Sequence, residues 1–277
     1  MTWWAVEVRV GEQERPRLAA WLVNETGQAV EERDDGWVVS FAEDSSAAEA
    51  MRARVARAFP PAAEIALRAI DAVDWSTRWR DGLGPRRVGK VTVVPSWVSY
   101  HREPDEAIVV MDPETAFGSG EHGSTRAALR LLSECLVPGQ LVLDLGSGSG
   151  ILAIAAVRLG ARRAIGIEVD EEAVPVAVRN AAINGVADRA QFLAGDAGEL
   201  APLLGPADLL MSNILRTVNV TLFPAIRSAL RPGGIAIFSG MEEAEAGEFR
   251  SALTVAEFAI RDEVTDSGWW GVAASRP

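Results

Sequence analysis

The sequence predicts a doubly wound α/β domain preceded by a smaller ferredoxin-like α+β domain. An apolar run at residues 141–145 leads into a glycine-rich turn and then a helical segment, which is how nucleotide-binding βα units begin. Strand-like apolar runs at residues 164–168, 190–194, 207–212 and 235–239 continue that alternation. The first seventy residues have the order βαββαβ instead, which is typical of ferredoxin-like domains.

The glycine turn indicates which kind of nucleotide binds. Gly146, Gly148 and Gly150 occupy alternate positions, and Asp144 lies two residues before the first of them. Phosphate-binding dinucleotide turns read G-x-G-x-x-G, whereas this spacing resembles the first motif of class I S-adenosylmethionine (SAM) methyltransferases. SAM has no phosphate, but it needs close backbone approach and a carboxylate for its hydroxyl or ammonium groups. We therefore expect Asp144, Gly146 and Gly148 to bind the cofactor.

A second carboxylate ends the next predicted strand. Glu168 lies 22 residues after Gly146. In doubly wound sheets an acidic residue about 20 residues beyond the turn accepts hydrogen bonds from ribose hydroxyls. Asp170 is the lesser candidate for this role. A solvated charge at a strand end is the alternative interpretation, which the spacing from the turn disfavours.

Composition narrows the possible functions. The chain has 277 residues and a formal net charge of −12, which disfavours nucleic-acid binding and suits a basic protein partner. Cys135 is the only cysteine, so an internal disulfide and a thiolate metal cluster are excluded, and no metal is expected. The N-terminus does not resemble a signal peptide, and no apolar run reaches membrane-spanning length. We expect a cytoplasmic monomer with no membrane association.

The N-terminal domain is assigned to residues 1–71. Strands are predicted at residues 3–10, 27–31, 36–41 and 64–70, and helices at residues 16–23 and from Ser45 or Ser46, as N-cap, to Ala58. Two interpretations remain for this domain: packing or dimerisation, and recognition of a substrate. We favour recognition, because the second domain needs a means of selecting its substrate.

Residues 72–86 are predicted to be a linker, and residues 87–277 the larger domain. Trp75 and Trp79 share one face of a short helix, and Gly82, Gly84 and Pro85 then form a hinge. Strands are expected at residues 88–94 and 107–110. At the other end of the domain, residues 258–264 and 269–273 form an antiparallel hairpin in which Trp269 and Trp270 are expected to pack in the core or at the sheet edge.

A glycine-containing loop precedes the predicted helix at residues 126–135. Ser124 or Thr125 can cap this helix, whose N-terminus can hold a carboxylate through free backbone N–H groups. Phe117, at the centre of the loop, is expected either to cover the cofactor or to pack the loop. His122 is a candidate general base, but orientation of the loop explains it equally well.

Polar residues follow the third and fourth predicted strands of the large sheet. Asp196 comes after residues 190–194, and a carboxylate there often faces the adenine amino group in class I methyltransferases. Asn213 comes directly after residues 207–212, at the edge where doubly wound sheets bind ligands. Its side-chain carbonyl can accept an N–H bond from an incoming amine and aim the nitrogen lone pair. The alternative role for Asn213 is capping of the next helix.

Three segments together resemble one family. The loop F-G-S-G-E-H-G-S-T, the turn D-L-G-S-G-S-G-I-L-A-I-A-A and the sequence N-A-A-I-N-G at residues 180–185 are similar to the methyltransferases of ribosomal protein L11. Family members combine a ferredoxin-like domain, a helical linker and a class I domain with a seven-stranded, Rossmann-like sheet. Thr125, Gly146, Glu168 and Asn213 fall where this family contacts SAM. The departures are mild: serine at position 119, serine at position 147, and Glu168 in place of the usual aspartate.

The resemblance implies a SAM-dependent protein N-methyltransferase that modifies lysine side chains, α-amino groups or both in ribosomal protein L11 and releases S-adenosylhomocysteine (SAH). Asn213 is its predicted catalytic residue. Solvent is expected to deprotonate the amine, since no strong base is evident besides His122. The alternatives are methylation of another protein, such as an electron-transfer flavoprotein subunit, a small-molecule or RNA methyltransferase, and a SAM-binding protein without catalysis.

Overall fold

The computed structural model describes residues 3–26, 30–33, 36–60, 64–70, 84–101, 106–111 and 120–277. The chain divides into two compact units, Met1–Leu83 and Gly84–Pro277. The predicted linker helix with Trp75 and Trp79 and the loop residue Phe117 lie outside the described residues. In the part of the chain that is described, no helix combines the length and apolar character needed to cross a membrane.

The first unit has the predicted ferredoxin-like arrangement. Its elements are β1 (Trp3–Arg9), α1 (Arg15–Thr26), β2 (Glu31–Glu32), β3 (Trp37–Ala42), α2 (Ser45–Ala58) and β4 (Glu64–Ile70). The strands form an antiparallel sheet in the order β2-β3-β1-β4. One prediction was wrong: Asp44, rather than Ser45 or Ser46, caps α2, because its carboxylate accepts a hydrogen bond from Ala47 N at 2.8 Å.

The second unit begins with three short strands, β5 (Arg86–Val88), β6 (Val91–Pro95) and β7 (Ala107–Met111). The elements that follow are α3 (Gly123–Cys135), β8 (Leu141–Leu145), α4 (Ile151–Arg158), β9 (Arg163–Glu168), α5 (Ala173–Ile183), β10 (Ala190–Ala194), α6 (Ala197–Leu204), β11 (Ala207–Asn213), α7 (Arg216–Ala229), β12 (Leu230–Glu242), α8 (Ala246–Val255), β13 (Ala259–Asp266) and β14 (Trp269–Ser275).

Strands β8 to β14 form a seven-stranded sheet in the order β10-β9-β8-β11-β12-β14-β13. All neighbours are parallel except β14, which is antiparallel to both β12 and β13. The fold class is therefore confirmed, including the terminal hairpin.

Each face of this sheet has its own apolar core. Leu131 of α3, Ile154 of α4 and Ala181 of α5 pack on one face. Apolar residues of α6, α7 and α8 pack on the other, where the rings of Phe223, Phe238 and Phe249 have centroids 5.3 to 5.6 Å apart. Helices on both faces bury the parallel strands, so the ligand-binding edge is built on a rigid support.

A small sheet of three strands precedes α3 in the second unit. It consists of β5 (Arg86–Val88), β6 (Val91–Pro95) and β7 (Ala107–Met111), with β5 antiparallel and β7 parallel to β6. The amide of Asn184 joins it to α5, donating to Val110 O at 2.7 Å and accepting from Val110 N at 2.8 Å. Asn180 donates to Ser149 O at 2.9 Å. The two asparagines of the N-A-A-I-N-G sequence thus hold a sheet and the glycine turn in place.

The start of α3 differs from the prediction. This helix begins at Gly123, three residues before the predicted start at position 126. His122, rather than Ser124 or Thr125, occupies the N-cap position, and it makes no side-chain capping bond. Gly123 is closely packed, since a Cβ there would lie 2.5 Å from Asp266 O and 2.7 Å from Trp269 Cδ1. The first turn of the helix therefore touches the turn between β13 and β14.

Candidate active site

Two cavities lie at the carboxyl edge of the parallel strands. The first cavity has a volume of about 410 Å³ and the second about 330 Å³, both within the range of small-molecule sites. They share Asn213, Ile214 and Leu215. The other residues lining the first cavity are Gly146, Gly148, Ile167, Glu168, Val169, Gly195, Asp196, Ala197, Val218 and Leu222. Those lining only the second are His122, Ser124, Gly240 and Trp269.

The glycine turn gives the first cavity a backbone wall. Gly146 has a φ of +69°, and a Cβ on it would lie 2.5 Å from Ile214 Cγ2. Any other residue here would strain the backbone, and its Cβ would displace Ile214, which is part of the wall that both cavities share. The amide of Gly146 donates to Ile167 O at 2.9 Å, which ties the turn to the end of β9.

Glu168 reaches from β9 to the glycine turn. Its carboxylate accepts hydrogen bonds from Gly148 N at 2.8 Å and from Asp170 N at 3.1 Å. Each carboxylate oxygen has two lone pairs, so both retain acceptor capacity toward the cavity that Glu168 lines. The carboxylate is thus held in one orientation while it can still bind a pair of hydroxyls.

Asp144 lies beneath the turn and does not line either cavity. Its side chain is buried, and its Oδ2 accepts a hydrogen bond from Ala153 N in the first turn of α4 at 3.1 Å. The pKa of Asp144 is raised to about 7, mainly by burial and to a smaller extent by the Glu168 charge, against the lowering effect of the Ala153 N–H group. The geometry assigns Asp144 to support of the turn, in contrast to the cofactor contact expected from the sequence.

Asp196 follows β10, as the sequence predicted. It lines the first cavity and also caps α6, because its Oδ1 accepts a hydrogen bond from Glu199 N at 3.2 Å. Capping leaves the second carboxylate oxygen available for a ligand N–H group. Val169 and Val218, which the sequence analysis did not single out, add apolar surface suited to a planar ring.

Asn213 lies between the two cavities. Its side-chain NH₂ group donates to the Thr125 hydroxyl at 3.4 Å, and Thr125 is fully buried behind it. The side-chain carbonyl oxygen of Asn213 is buried and accepts no hydrogen bond from the described residues. A buried acceptor without a partner costs free energy unless a ligand satisfies it. Asn213 therefore presents an acceptor for an N–H group at the junction of the cavities.

His122 and Trp269 form an aromatic wall of the second cavity. Their ring centroids are 4.2 Å apart, and His122 Nδ1 lies 2.7 Å from Ser124 Oγ. Burial, with a smaller contribution from the Arg126 charge, lowers the pKa of His122 below its usual value of about 6.5, so the ring is neutral at pH 7. Trp270 is buried in the core as predicted, but Trp269 lines this cavity instead.

An ion pair holds this wall together. Two guanidinium nitrogens of Arg126, in α3, donate to Asp266 Oδ1 at 3.1 and 2.5 Å, and Arg130 lies 3.3 Å from Oδ2. The guanidinium of Arg126 is the main cause that lowers the pKa of Asp266. Because Asp266 ends β13 and Trp269 begins β14, the pair fixes the hairpin turn against α3, whose N-cap residue is His122.

The structure brings most of the predicted site residues together. Gly146, Gly148, Glu168, Asp196 and Asn213 line the first cavity, and Thr125 contacts it through Asn213. Sequence reasoning missed the apolar residues Ile214 and Leu215, which follow Asn213 directly. The sequence signal that could have identified Ile214 and Leu215 is their position at a strand end next to a candidate ligand residue.

Comparisons with known proteins identify the family of this chain. The family model for ribosomal protein L11 methyltransferase (PrmA) matches residues 3–277. A ribosomal protein L11 methyltransferase of Pelotomaculum thermopropionicum is 38% identical over 244 residues, covering 87% of this chain and 79% of that protein. The Thermus thermophilus protein of the same name is 39% identical over 203 residues, covering 73% of this chain and 78% of that protein.

A solved structure extends the comparison to the fold. The crystal structure of ribosomal protein L11 methylase from Lactobacillus delbrueckii subsp. bulgaricus superimposes with a TM-score of 0.64 at 32% identity. The match covers 70% of this chain and 99% of that chain. The chain belongs to the ribosomal protein L11 methyltransferase family, as its loop and turn motifs indicate.

Proposed function

We propose that this protein transfers methyl groups from SAM to amino groups of ribosomal protein L11, on lysine side chains, the α-amino group or both. The single observation that carries the proposal is the unpaired, buried carbonyl oxygen of Asn213 at the junction of two cavities. One cavity suits the cofactor and the other suits an amine. The names of the relatives supply the identity of the protein substrate.

The residues of the first cavity fit SAM. The space that a Cβ on Gly146 would need is taken by Ile214 Cγ2, so at this position the turn backbone itself forms part of the cavity lining. We assign the ribose hydroxyls to Glu168 and the adenine amino group to Asp196. When bound, SAM supplies a methyl group on a positively charged sulfur, already activated for transfer to a nucleophile. Phe117 stays a predicted cover of this cavity.

The second cavity suits the acceptor amine. Ile214, Leu215 and Trp269 give it an apolar lining that can hold the methylene groups of a lysine side chain. The Asn213 carbonyl accepts one N–H bond and thereby orients the nitrogen lone pair, which is a proximity and orientation effect. Thr125 keeps the Asn213 amide in this orientation through its hydroxyl group.

The amine must lose its proton before it can react. Lysine has an ordinary pKa of about 10.4, and an apolar cavity lowers that pKa because burial disfavours the charged form. His122 is neutral at pH 7 and therefore does not repel an incoming ammonium group. We propose that water takes the proton and that His122 shapes the cavity with Trp269.

We further propose that the first unit, Met1–Leu83, recognises the substrate protein.

Intact-mass spectrometry of purified L11, incubated with this protein and SAM, tests the proposal. We expect a ladder of methyl increments that disappears when SAM is omitted. The absence of increments, with SAH binding retained in calorimetry, would contradict L11 as substrate and leave either another protein or a SAM-binding role without catalysis. Loss of SAH binding as well would contradict the assignment of the first cavity.

A further inference from the structure

Acidic side chains are concentrated at the ligand-binding edge of the seven-stranded sheet. The loop that follows β9, residues 169–172, contains three acidic residues and no basic one. The segment that ends β12 and begins α8, residues 242–248, contains four glutamates. Arg216 pairs with two of them, at 3.0 Å from Glu245 and 3.1 Å from Glu248. Glu171 and Glu243 are exposed, and neither forms an ion pair with any described residue.

The opposite edge of the same sheet is rich in arginine. Arg162 and Arg163 lie at the start of β9, Arg189 precedes β10, and Arg231 lies near the start of β12. The acidic residues at this edge are paired: Asp208 lies 2.7 Å from Arg231, and Glu257 lies 3.0 Å from Arg227. Of the two edges of this sheet, the one that carries the cavities therefore has the excess of negative charge among the described residues.

The two acidic segments lie on either side of the cavities. Strands β9 and β12 are separated by β8 and β11, so their carboxyl ends are about 14 Å apart at the usual spacing of 4.8 Å between strands. Val169 of the first segment lines the first cavity. In the second segment, Glu242 of β12 lies opposite Trp269 of β14 in the antiparallel register, and Trp269 lines the second cavity. The next residue, Glu243, donates its backbone N–H to Gly268 O at 2.9 Å.

We propose that this edge docks a positively charged polypeptide segment in which cationic side chains flank the amine to be methylated. An extended chain rises about 3.4 Å per residue, so about four residues span the 14 Å between the acidic segments. Cationic residues about two positions before and two after the target amine therefore reach both segments while the amine enters the second cavity. Charge of this sign attracts cationic chains and repels nucleic acid. The inference rests on the proposed function, because it takes the second cavity as the amine site.

Fluorescence anisotropy with two synthetic peptides tests the docking surface separately from catalysis. Each peptide has one central lysine, flanked at the second position on both sides by arginine in one and by alanine in the other. The intact protein, saturated with SAH, is compared with E171Q/E243Q. The matched control is D188N/E257Q, which removes the same charge from exposed positions at the opposite edge.

For the wild-type protein we expect about tenfold tighter binding of the arginine peptide at low salt, a preference that decreases as salt screens the charges. In E171Q/E243Q the preference for the arginine peptide should fall to about twofold, and in D188N/E257Q the preference should stay as in the wild-type protein. Equal binding of both peptides, no binding of either, or equal losses in both variants would overturn the proposal. Methyl transfer to the same peptides is measured separately. An arginine preference in binding without any transfer would contradict the proposed function and leave the docking surface standing.

Discussion

The two cavities share one wall, formed by Asn213, Ile214 and Leu215, but they are built in different ways. Backbone conformation dominates the first cavity, where the glycine turn and two carboxylate-bearing strand ends follow each other within about 50 residues of the chain. Side chains dominate the second, where the start of α3, the end of β11 and the start of β14 meet. Their sequence positions extend from 122 to 269.

This difference predicts how each cavity responds to substitution. A backbone wall tolerates no Cβ, so a small change there causes a large loss of affinity. A wall of side chains can be changed gradually, because neighbouring rings and an ion pair continue to support it. The shared residue Asn213 belongs to both kinds of wall, and its loss should have the largest effect on turnover.

Asn213→Ala should lower kcat by about 100-fold, because the amine loses the acceptor that orients it. Assays of methyl transfer at a series of fixed reaction times give kcat, and calorimetry with SAH gives the affinity for the cofactor product. Thr125→Val is the matched control: it removes the partner of the Asn213 NH₂ group and keeps the Asn213 carbonyl, so the expected loss is only about tenfold. Wild-type turnover in Asn213→Ala would remove this residue from the mechanism.

Gly146→Ala should weaken SAH binding by more than about tenfold, because Ala at a φ of +69° is strained and its Cβ would collide with Ile214. Calorimetry measures the affinity directly. Gly139→Ala provides the control, since Gly139 has a φ of +89° with open space around it and lies outside both cavity linings. That variant should lose stability and keep its affinity for SAH. Similar SAH affinities in both variants would show that the turn is not a cofactor cradle.

Trp269→Leu should raise KM for the protein substrate by about fivefold and leave SAH affinity unchanged, because Trp269 lines only the second cavity. Trp269→Phe keeps an aromatic ring against His122 and should recover most of the loss.

The pH–rate profile of His122→Ala belongs in the same series. An unchanged rate and profile are expected for a residue that shapes the cavity, whereas a large loss would identify His122 as the general base.

Asp266→Asn should lower the free energy of unfolding by about 1 kcal/mol at pH 7, because Arg126 loses a charged partner. The pKa of Asp266 is lower in the folded protein than its unfolded value of about 3.9, so this stabilisation is present above pH 4. It disappears as the pH falls through the folded pKa. Chemical denaturation across this range should therefore show the two proteins converging in acid, and a constant difference would exclude the ion pair as the cause. Ser267→Ala, which removes a weaker Arg126 partner, should have a smaller effect.

The first cavity could be predicted from the sequence because its parts follow a local order. Gly146, Glu168 and Asp196 lie at or just after the ends of three neighbouring parallel strands, so they must meet at one edge of the sheet. The order of residues along the chain does not reveal which side chains are buried. Asp144, like Glu168, lies near the end of a parallel strand, but its carboxylate is buried beneath the turn and accepts a hydrogen bond from Ala153 N. Its expected contact with the cofactor was therefore not recovered from geometry.

The second cavity could not be assembled from the sequence. Trp269 and Trp270 are adjacent and chemically identical, and only the packing of the terminal hairpin decides which one is buried. The start of α3 posed a similar problem. Ser124 and Thr125 have the composition of N-caps, but the close approach of Gly123 to the hairpin extends the helix backward to His122. In both cases tertiary contacts override local preference.

The shared wall has a thermodynamic consequence for the order of binding. If the cofactor changes the position of Asn213, it changes the affinity of the second cavity for an amine by some factor. Reciprocity requires the amine to change the affinity for the cofactor by that same factor. A preference of the substrate protein for the SAM-loaded form over the SAH-loaded form would then promote exchange of spent cofactor while the polypeptide stays bound. The shared wall of Asn213, Ile214 and Leu215 would in this way allow several methyl groups to be added to one amine before the substrate protein dissociates.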